Sequence, residues 1–178
     1  MSEGRRLPRL VLLDRDGTLN RKPAEGDYVT QVDALELLPG AASAVRRLND
    51  AGIPVAVVTN QRGVALGRIV ASELERIHAA LVEGLGRGGA HLNAIYHCPH
   101  NRGQCHCRKP EPGLLLRAGI DFHVPLEEAV MVGDSDSDVE AGRRAGALTV
   151  QLVQPGEPSL ADLTAPDLVA AVDLMLSP

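Results

Sequence analysis

Leu10-Val11-Leu12-Leu13-Asp14-Arg15-Asp16-Gly17-Thr18 is the stretch on which the fold turns. Four apolar residues that stop at a carboxylate are too few for a helix and read as a strand buried on both faces. Four runs of the same kind follow, at Val55–Val58, Ala94–His97, Ala129–Val132 and Leu148–Leu152, most of them rich in β-branched residues. Helical patterns fall between them. Ala41–Ala51 follows Pro39-Gly40 and stops at Gly52. A second helix opens on Ser72-x-x-Glu75, the spacing of a capping box, and puts Leu74, Ile77, Leu81 and Leu85 on one face. A third runs from near Pro112 to near Gly119, and a fourth from about Asp136 to Ala145, before Gly146. Strand alternating with helix implies parallel strands: an open, doubly wound, Rossmann-like α/β sheet in three α/β/α layers. Two segments break the alternation. Asn20–Leu38 is polar, too short for a separate cap domain, and reads as a flap. Val153–Pro166 is a Pro- and Gly-rich loop leading to a last short strand and helix within Asp167–Leu176.

Composition narrows the function. The 178 residues suit one domain, 1–178, carrying a net charge of −5, with 44% apolar and 23% charged residues, so the chain is globular. The only aromatics are Tyr28, Tyr96 and Phe122. A nucleic-acid binder needs a basic groove or stacking platforms, and neither is expected here. The basic pair Arg5-Arg6 precedes an apolar run of only four residues, so no signal peptide is expected, and no stretch nears the ~20 apolar residues of a membrane helix. The expected setting is the cytoplasm, and the expected state a monomer.

In such a sheet ligands bind beyond the carboxyl ends of the strands. Those ends carry Asp14-Arg15-Asp16-Gly17-Thr18, Thr59-Asn60-Gln61, Cys98 through Lys109, and Gly133-Asp134-Ser135-Asp136-Ser137-Asp138. Asp14 and Asp16, two apart, can face one ligand while Arg15 faces away. Two such carboxylates call for a cation between them, and Asp134 adds a third; Mg²⁺ prefers this oxygen set. Thr59 supplies a hydroxyl, and Lys109 a point charge on a flexible stem, both suited to phosphoryl oxygens. Each residue taken singly has a plainer use, in a turn, at a strand end or on the surface; their convergence on one edge carries the reading. Asp136 fits N-capping of the following helix. An EF-hand is excluded, because Val139 stands where that loop needs Gly. His78, His91 and His123 have no evident partners and default to solvated or capping positions.

All three cysteines, Cys98, Cys105 and Cys107, fall within ten residues, interleaved with His97, His100 and His106. An odd, clustered set implies a metal rather than disulfides. Cys98, His100, Cys105 and Cys107 make a closed Cys₃His set for structural Zn²⁺, with His97 or His106 as alternatives to His100.

Asp14-Arg15-Asp16-Gly17-Thr18-Leu19, Thr59-Asn60-Gln61, Arg108-Lys109-Pro110 and Gly133-Asp134-x-x-x-Asp138 together resemble, in order, the four motifs of the haloacid dehalogenase superfamily over roughly residues 9–152. The cysteine loop directly before Arg108 is similar to that of its zinc-bearing, capless branch, which holds heptose-bisphosphate and histidinol-phosphate phosphatases. Asp27-Tyr28-Val29 and Gln61-x-Gly63-Val64-Ala65 resemble the former more, although Leu66 rather than Arg precedes Gly67 and the loop from His100 to Cys105 is short. The resemblance implies a Mg²⁺-dependent phosphomonoesterase acting on a small phosphorylated sugar. Asp14 would be the nucleophile that forms an aspartyl-phosphate, and Asp16 the general acid and base. Asp14, the Asp16 backbone carbonyl and Asp134 would hold Mg²⁺; Thr59 and Lys109 would hold phosphoryl oxygens; Asp138 would orient Lys109 or a metal-bound water. Asp27, Tyr28, Asn60, Gln61, Arg62, Arg108 and Ser135 would meet the substrate. Two other classes stay open at this level: a phosphoryl-accepting receiver domain and a zinc-stapled interaction module without activity.

Overall fold

The chain, described by a computed structural model over residues 6–177, alternates strand and helix as far as its fifth strand. Arg5 of the basic pair lies outside the described residues. The elements are β1 (Leu10–Leu13), α1 (Ala41–Asp50), β2 (Val55–Asn60), α2 (Ala71–Arg87), β3 (Ala94–Cys98), α3 (Gly113–Phe122), β4 (Ala129–Gly133), α4 (Asp136–Ala145), β5 (Leu148–Leu152), β6 (Leu163–Ala165) and α5 (Leu168–Leu176). The strands form one sheet in the order β3-β2-β1-β4-β5-β6, every neighbouring pair parallel. The chain grows from β1 outward through β2 to β3, then returns to β4 on the other side of β1. The switch point therefore lies between β1 and β4, where such sheets open a crevice at their carboxyl ends.

Alternation along the strands builds the layers. Val11, Leu13, Val55, Val57 and Val132 face one core with α1, α5 and the Leu81–Leu85 end of α2. Leu10, Leu12, Ala56, Val58 and Met131 face a second core with α3 and Ala141 of α4. A strand covered on both faces loses its polar alternation, which is why β1, β2 and β4 read as continuous apolar runs. Among the described residues no helix is long and apolar enough to cross a membrane.

Three expectations change. α2 begins at Ala71 after Val70, and no side chain caps it. Ser72 lies inside the first turn, so the capping box is not formed there. α3 runs through Gly119 to Phe122 and ends on His123 in the left-handed region, φ 54°; its apolar stripe continues across the glycine, with Leu115 and Ala118 buried. The segment 153–166 is not all loop. It contains β6, which pairs with β5 through Val150↔Leu163 and is fastened by Asp162, whose Oδ2 accepts from the Thr149 N–H (2.8 Å) and hydroxyl (2.7 Å). The last helix is as expected, with Asp167 as its N-cap accepting from the Ala170 N–H (2.8 Å).

Candidate active site

The switch point sets Asp14, just past β1, beside Asp134, just past β4. Carboxylate oxygens of Asp14, Asp134 and Asp138 all lie within 4.8 Å of one another. Gly17 makes that approach possible: it holds φ +90°, and a Cβ there would run into the Asp134 carboxylate. Gly133 does the same for Asp138. Lys109 closes the group from the cysteine-loop side. Its Nζ donates to Asp14 Oδ1 (2.9 Å), Asp138 Oδ1 (2.5 Å) and the Val58 carbonyl (2.7 Å), and the side chain is buried. All three ammonium protons are spoken for, so the mobile charge expected from the sequence is a fixed one. Burial alone would lower the Lys109 pKa; the charges of Asp138 and Asp14 outweigh it and raise it. Burial pushes the Asp14 carboxyl up to about 7, against the pull of Lys109.

This donor set fits a small hard cation. Asp138 is committed to Lys109 and to Ser135, whose backbone N–H (3.0 Å) and hydroxyl (2.7 Å) both donate to its Oδ2. Asp134 Oδ1 is buried and has no hydrogen-bond partner among the described residues. A buried carboxylate oxygen without a donor, facing a second raised carboxyl, is the environment Mg²⁺ relieves. The other Asp134 oxygen receives Lys22 from the flap, Nζ to Oδ2 at 2.5 Å, a contact no sequence signal indicated.

The carboxylate of Asp16 stands apart from that trio. Arg15 Nη2 donates to both of its oxygens (3.1 and 3.0 Å), Asn20 Nδ2 to Oδ1 (2.9 Å) and Gln61 Nε2 to Oδ2 (3.1 Å). Arg15 does face away from the cleft, yet it is fully buried beneath Asp16 as its counter-charge. Gln61 also donates to Thr59 Oγ1 (2.9 Å) and is itself buried. Its amide thus positions two cleft residues and does not line the cleft. Arg62 is likewise outside it, with Nε on Asn101 Oδ1 at 2.6 Å. Asn60 lines the cleft, but its amide is used in a two-way clamp on Lys109: the Lys109 N–H donates to Oδ1 and Nδ2 donates to the Lys109 carbonyl, each 3.0 Å. Asp136 is not the N-cap of α4. Ser135 holds that position, and Asp136 accepts from Gln151 Nε2 (3.0 Å). The acid three residues after Ser135 is Asp138, so S-x-x-D was the cue available in the sequence.

The resulting cleft, about 350 Å³, is lined by Asp14, Asp16, Thr59 and Lys109 on its floor and by Lys22, Asp27 and Tyr28 of the flap above. Arg102, Arg108, Asp134 and Ser135 complete the wall. No motif in the sequence singles out Arg102. The flap is anchored at its base and at its middle. Asn20 bridges to Leu37 at its base, and Val29 is buried in a third small core with Ile69, Leu74 and Ile77.

Beside the cleft, Cys98 Sγ lies 3.5 Å from both Cys105 Sγ and His100 Nδ1, and Cys107 Sγ lies 3.3 Å from the same two atoms. Ligands at roughly 2.0–2.3 Å from a tetrahedral Zn²⁺ are spaced about 3.3–3.8 Å apart, so the four atoms match. His100 is therefore the histidine of the set; His97 stacks toward His78, ring centroids 5.5 Å apart, and His106 lines a neighbouring hollow.

Known proteins resemble this chain in both sequence and structure. The profile of the HAD-hydrolase-like family matches residues 106–174. A D-glycero-beta-D-manno-heptose-1,7-bisphosphate 7-phosphatase of Salmonella typhi is 36% identical over 160 residues, covering 85% of this chain and 84% of that protein. The protein of the same name from Pseudomonas aeruginosa is 40% identical over 149 residues, covering 83% and 82%. The crystal structure of a D,D-heptose 1,7-bisphosphate phosphatase from B. bronchiseptica complexed with magnesium and phosphate superposes with a TM-score of 0.86 at 32% identity, covering 94% of this chain and 98% of that one.

Proposed function

The chain belongs to the haloacid dehalogenase-like phosphatases, in the group of heptose-bisphosphate phosphatases, and from that premise we propose that it removes the 7-phosphate of D-glycero-D-manno-heptose 1,7-bisphosphate. It is a magnesium-dependent phosphoric monoester hydrolase. The observation that carries the assignment of roles is the convergence of Asp14, Asp134 and Lys109 at the switch point, with Asp16 held separately by three donors of its own.

Asp14 is the proposed nucleophile: a carboxylate oxygen attacks phosphorus, the bond from phosphorus to the sugar oxygen breaks, and an aspartyl-phosphate forms. Asp16 gives its proton to the departing sugar oxygen. It then takes a proton from a water that attacks the phosphorus, releasing inorganic phosphate and restoring Asp14. Asp14, Asp134 and the Asp16 backbone carbonyl would hold Mg²⁺, which supplies charge neutralisation between an anionic nucleophile and an anionic phosphate. The Thr59 hydroxyl and Lys109 hold phosphoryl oxygens, Asp138 fixes Lys109, and Asp27, Tyr28, Arg108 and Ser135 face the rest of the substrate. Asn60, Gln61 and Arg62, expected among those contacts, act through Lys109, Asp16 and Asn101. Cys98, His100, Cys105 and Cys107 would hold Zn²⁺ as a brace for the loop that ends in Arg108-Lys109. A single domain without a cap, a monomeric state, a cytoplasmic setting and the lack of a nucleic-acid partner complete the proposal; a zinc site requires reduced thiols, which suits the cytoplasm, and the net charge of −5 disfavours a phosphate backbone.

Phosphate release from the heptose 1,7-bisphosphate and from histidinol phosphate, assayed with Mg²⁺, tests the reading. The bisphosphate is expected to give a kcat/KM at least about tenfold higher; a preference for histidinol phosphate would overturn the substrate assignment.

A further inference from the structure

Three guanidinium groups meet where the cysteine loop borders the cleft, and nothing in the proposed chemistry at Asp14 uses them. Arg62 is tied to Asn101 through its Nε, and Asn101 in turn accepts from the Arg102 backbone N–H at 2.9 Å, so the two arginines share one anchor. Arg108, like Arg102, lines both the cleft and the hollow beside it. Its Nη1 is buried and has no hydrogen-bond partner among the described residues. None of the three lies within ion-pair distance of a carboxylate among the described residues, whereas most of the exposed arginines elsewhere in the chain do. Guanidinium groups gathered without counter-charges, one of them with a buried, unpartnered nitrogen, make a place suited to an anion.

The space available agrees. A hollow of about 740 Å³ runs on from the cleft and shares Asn60, Arg102, Arg108, Lys109 and Ser137 with it. A substrate whose reacting phosphate sits on Asp14 extends past Arg108 into this hollow, where Arg102 is met together with His106 and with Glu111, a carboxylate already paired with Arg144 at 2.8 Å.

We propose that Arg102, presented by the cysteine loop beside Arg108, is a specificity-determining residue that grips a second phosphate on the substrate, remote from the one transferred. This rests on the reading of the substrate as a sugar bisphosphate. The cysteine loop then does two things at once, because the fold that gathers the four metal ligands also holds the arginine that selects for the distal anion. The planar guanidinium, with several donors, suits a phosphate better than a lysine would.

The test compares kcat/KM for the heptose 1,7-bisphosphate with that for the 7-phosphate lacking the distal group, in wild type, Arg102→Gln and Arg102→Lys, each checked for folding by circular dichroism. Wild type is expected to prefer the bisphosphate. Arg102→Gln is expected to lower that preference about tenfold or more, chiefly through KM, and Arg102→Lys to restore part of it. A preference left intact in Arg102→Gln overturns the role of Arg102 while leaving the phosphatase reading in place. Failure of the wild type to hydrolyse either sugar phosphate overturns the reading itself, and this inference with it.

Discussion

Asp14 and Lys109 depend on each other unequally. Among the described residues, Lys109 is the one cation that touches the two buried carboxylates Asp14 and Asp138. Replacing it with Met leaves both without a counter-charge, and breaking a buried ion pair from one side costs about 3–5 kcal/mol. Replacing Asp14 with Asn removes a carboxylate that burial already penalises, since its pKa is raised to about 7, and Lys109 keeps Asp138 and the Val58 carbonyl as acceptors. Urea unfolding in magnesium-free buffer is therefore expected to show Lys109→Met strongly destabilised and Asp14→Asn near wild type or above it. Asp14→Asn is nonetheless expected to lose at least about a thousandfold in phosphate release, as loss of a covalent nucleophile does. Equal destabilisation of the two variants would contradict this account of the pair, and near-normal turnover by Asp14→Asn would remove it as nucleophile.

The cysteine loop and the strand ends hold the site by separate means. Lys109 is secured three times over without the loop, through the Asn60 clamp, the Val58 carbonyl and Asp138. Arg102 and Arg108 have no such ties to the sheet and take their placement from the loop around Cys98, His100, Cys105 and Cys107. Cys105→Ser is expected to lose the zinc that metal analysis should find at about one per chain in wild type. It is also expected to raise KM by about tenfold while lowering kcat less, because the phosphoryl-binding lysine stays in place as the substrate-facing arginines loosen. The reverse pattern, a collapsed kcat at unchanged KM, would show that the loop carries the catalytic lysine after all. Wild-type protein purified without chelator and free of zinc would show that the four ligand atoms serve no metal.

Across the molecule, what was legible in the sequence was whatever is decided locally. β1, β2 and β4 are buried on both faces, so their apolar runs stand out, and the polar residues that end them fall at the sheet's carboxyl edge whatever the strand order. A last short strand was expected within Asp167–Leu176, but three residues paired along one side give no run that fixes their place, and β6 lies just before it, at Leu163–Ala165. The order β3-β2-β1-β4-β5-β6 and the cradle around Asp16 were hidden because Arg15, Asn20 and Gln61 meet only once the flap folds back and β2 lies beside β1. The same long-range packing decides His78, which its sequence neighbours place on an exposed or capping position. The structure puts it on the inner face of α2, 8% exposed, with Nε2 unpartnered among the described residues. Burial, with the charges of Arg15 and His97 acting the same way and Asp16 against, lowers its pKa to about 4 from an ordinary 6.5. A histidine depressed in this way is neutral in the folded chain and takes up its proton first in the unfolded one. Its share of stability is therefore whole above about pH 6.5 and drains away as pH falls toward 4, amounting to a loss of about 2 kcal/mol by pH 5. Urea unfolding at pH 7.5 and pH 5 is expected to show a fall in stability that is smaller by about that amount in His78→Leu, which keeps the site filled and removes both the titration and the orphaned nitrogen. An equal fall in the two proteins would place the acid sensitivity on the carboxylates of the cleft instead.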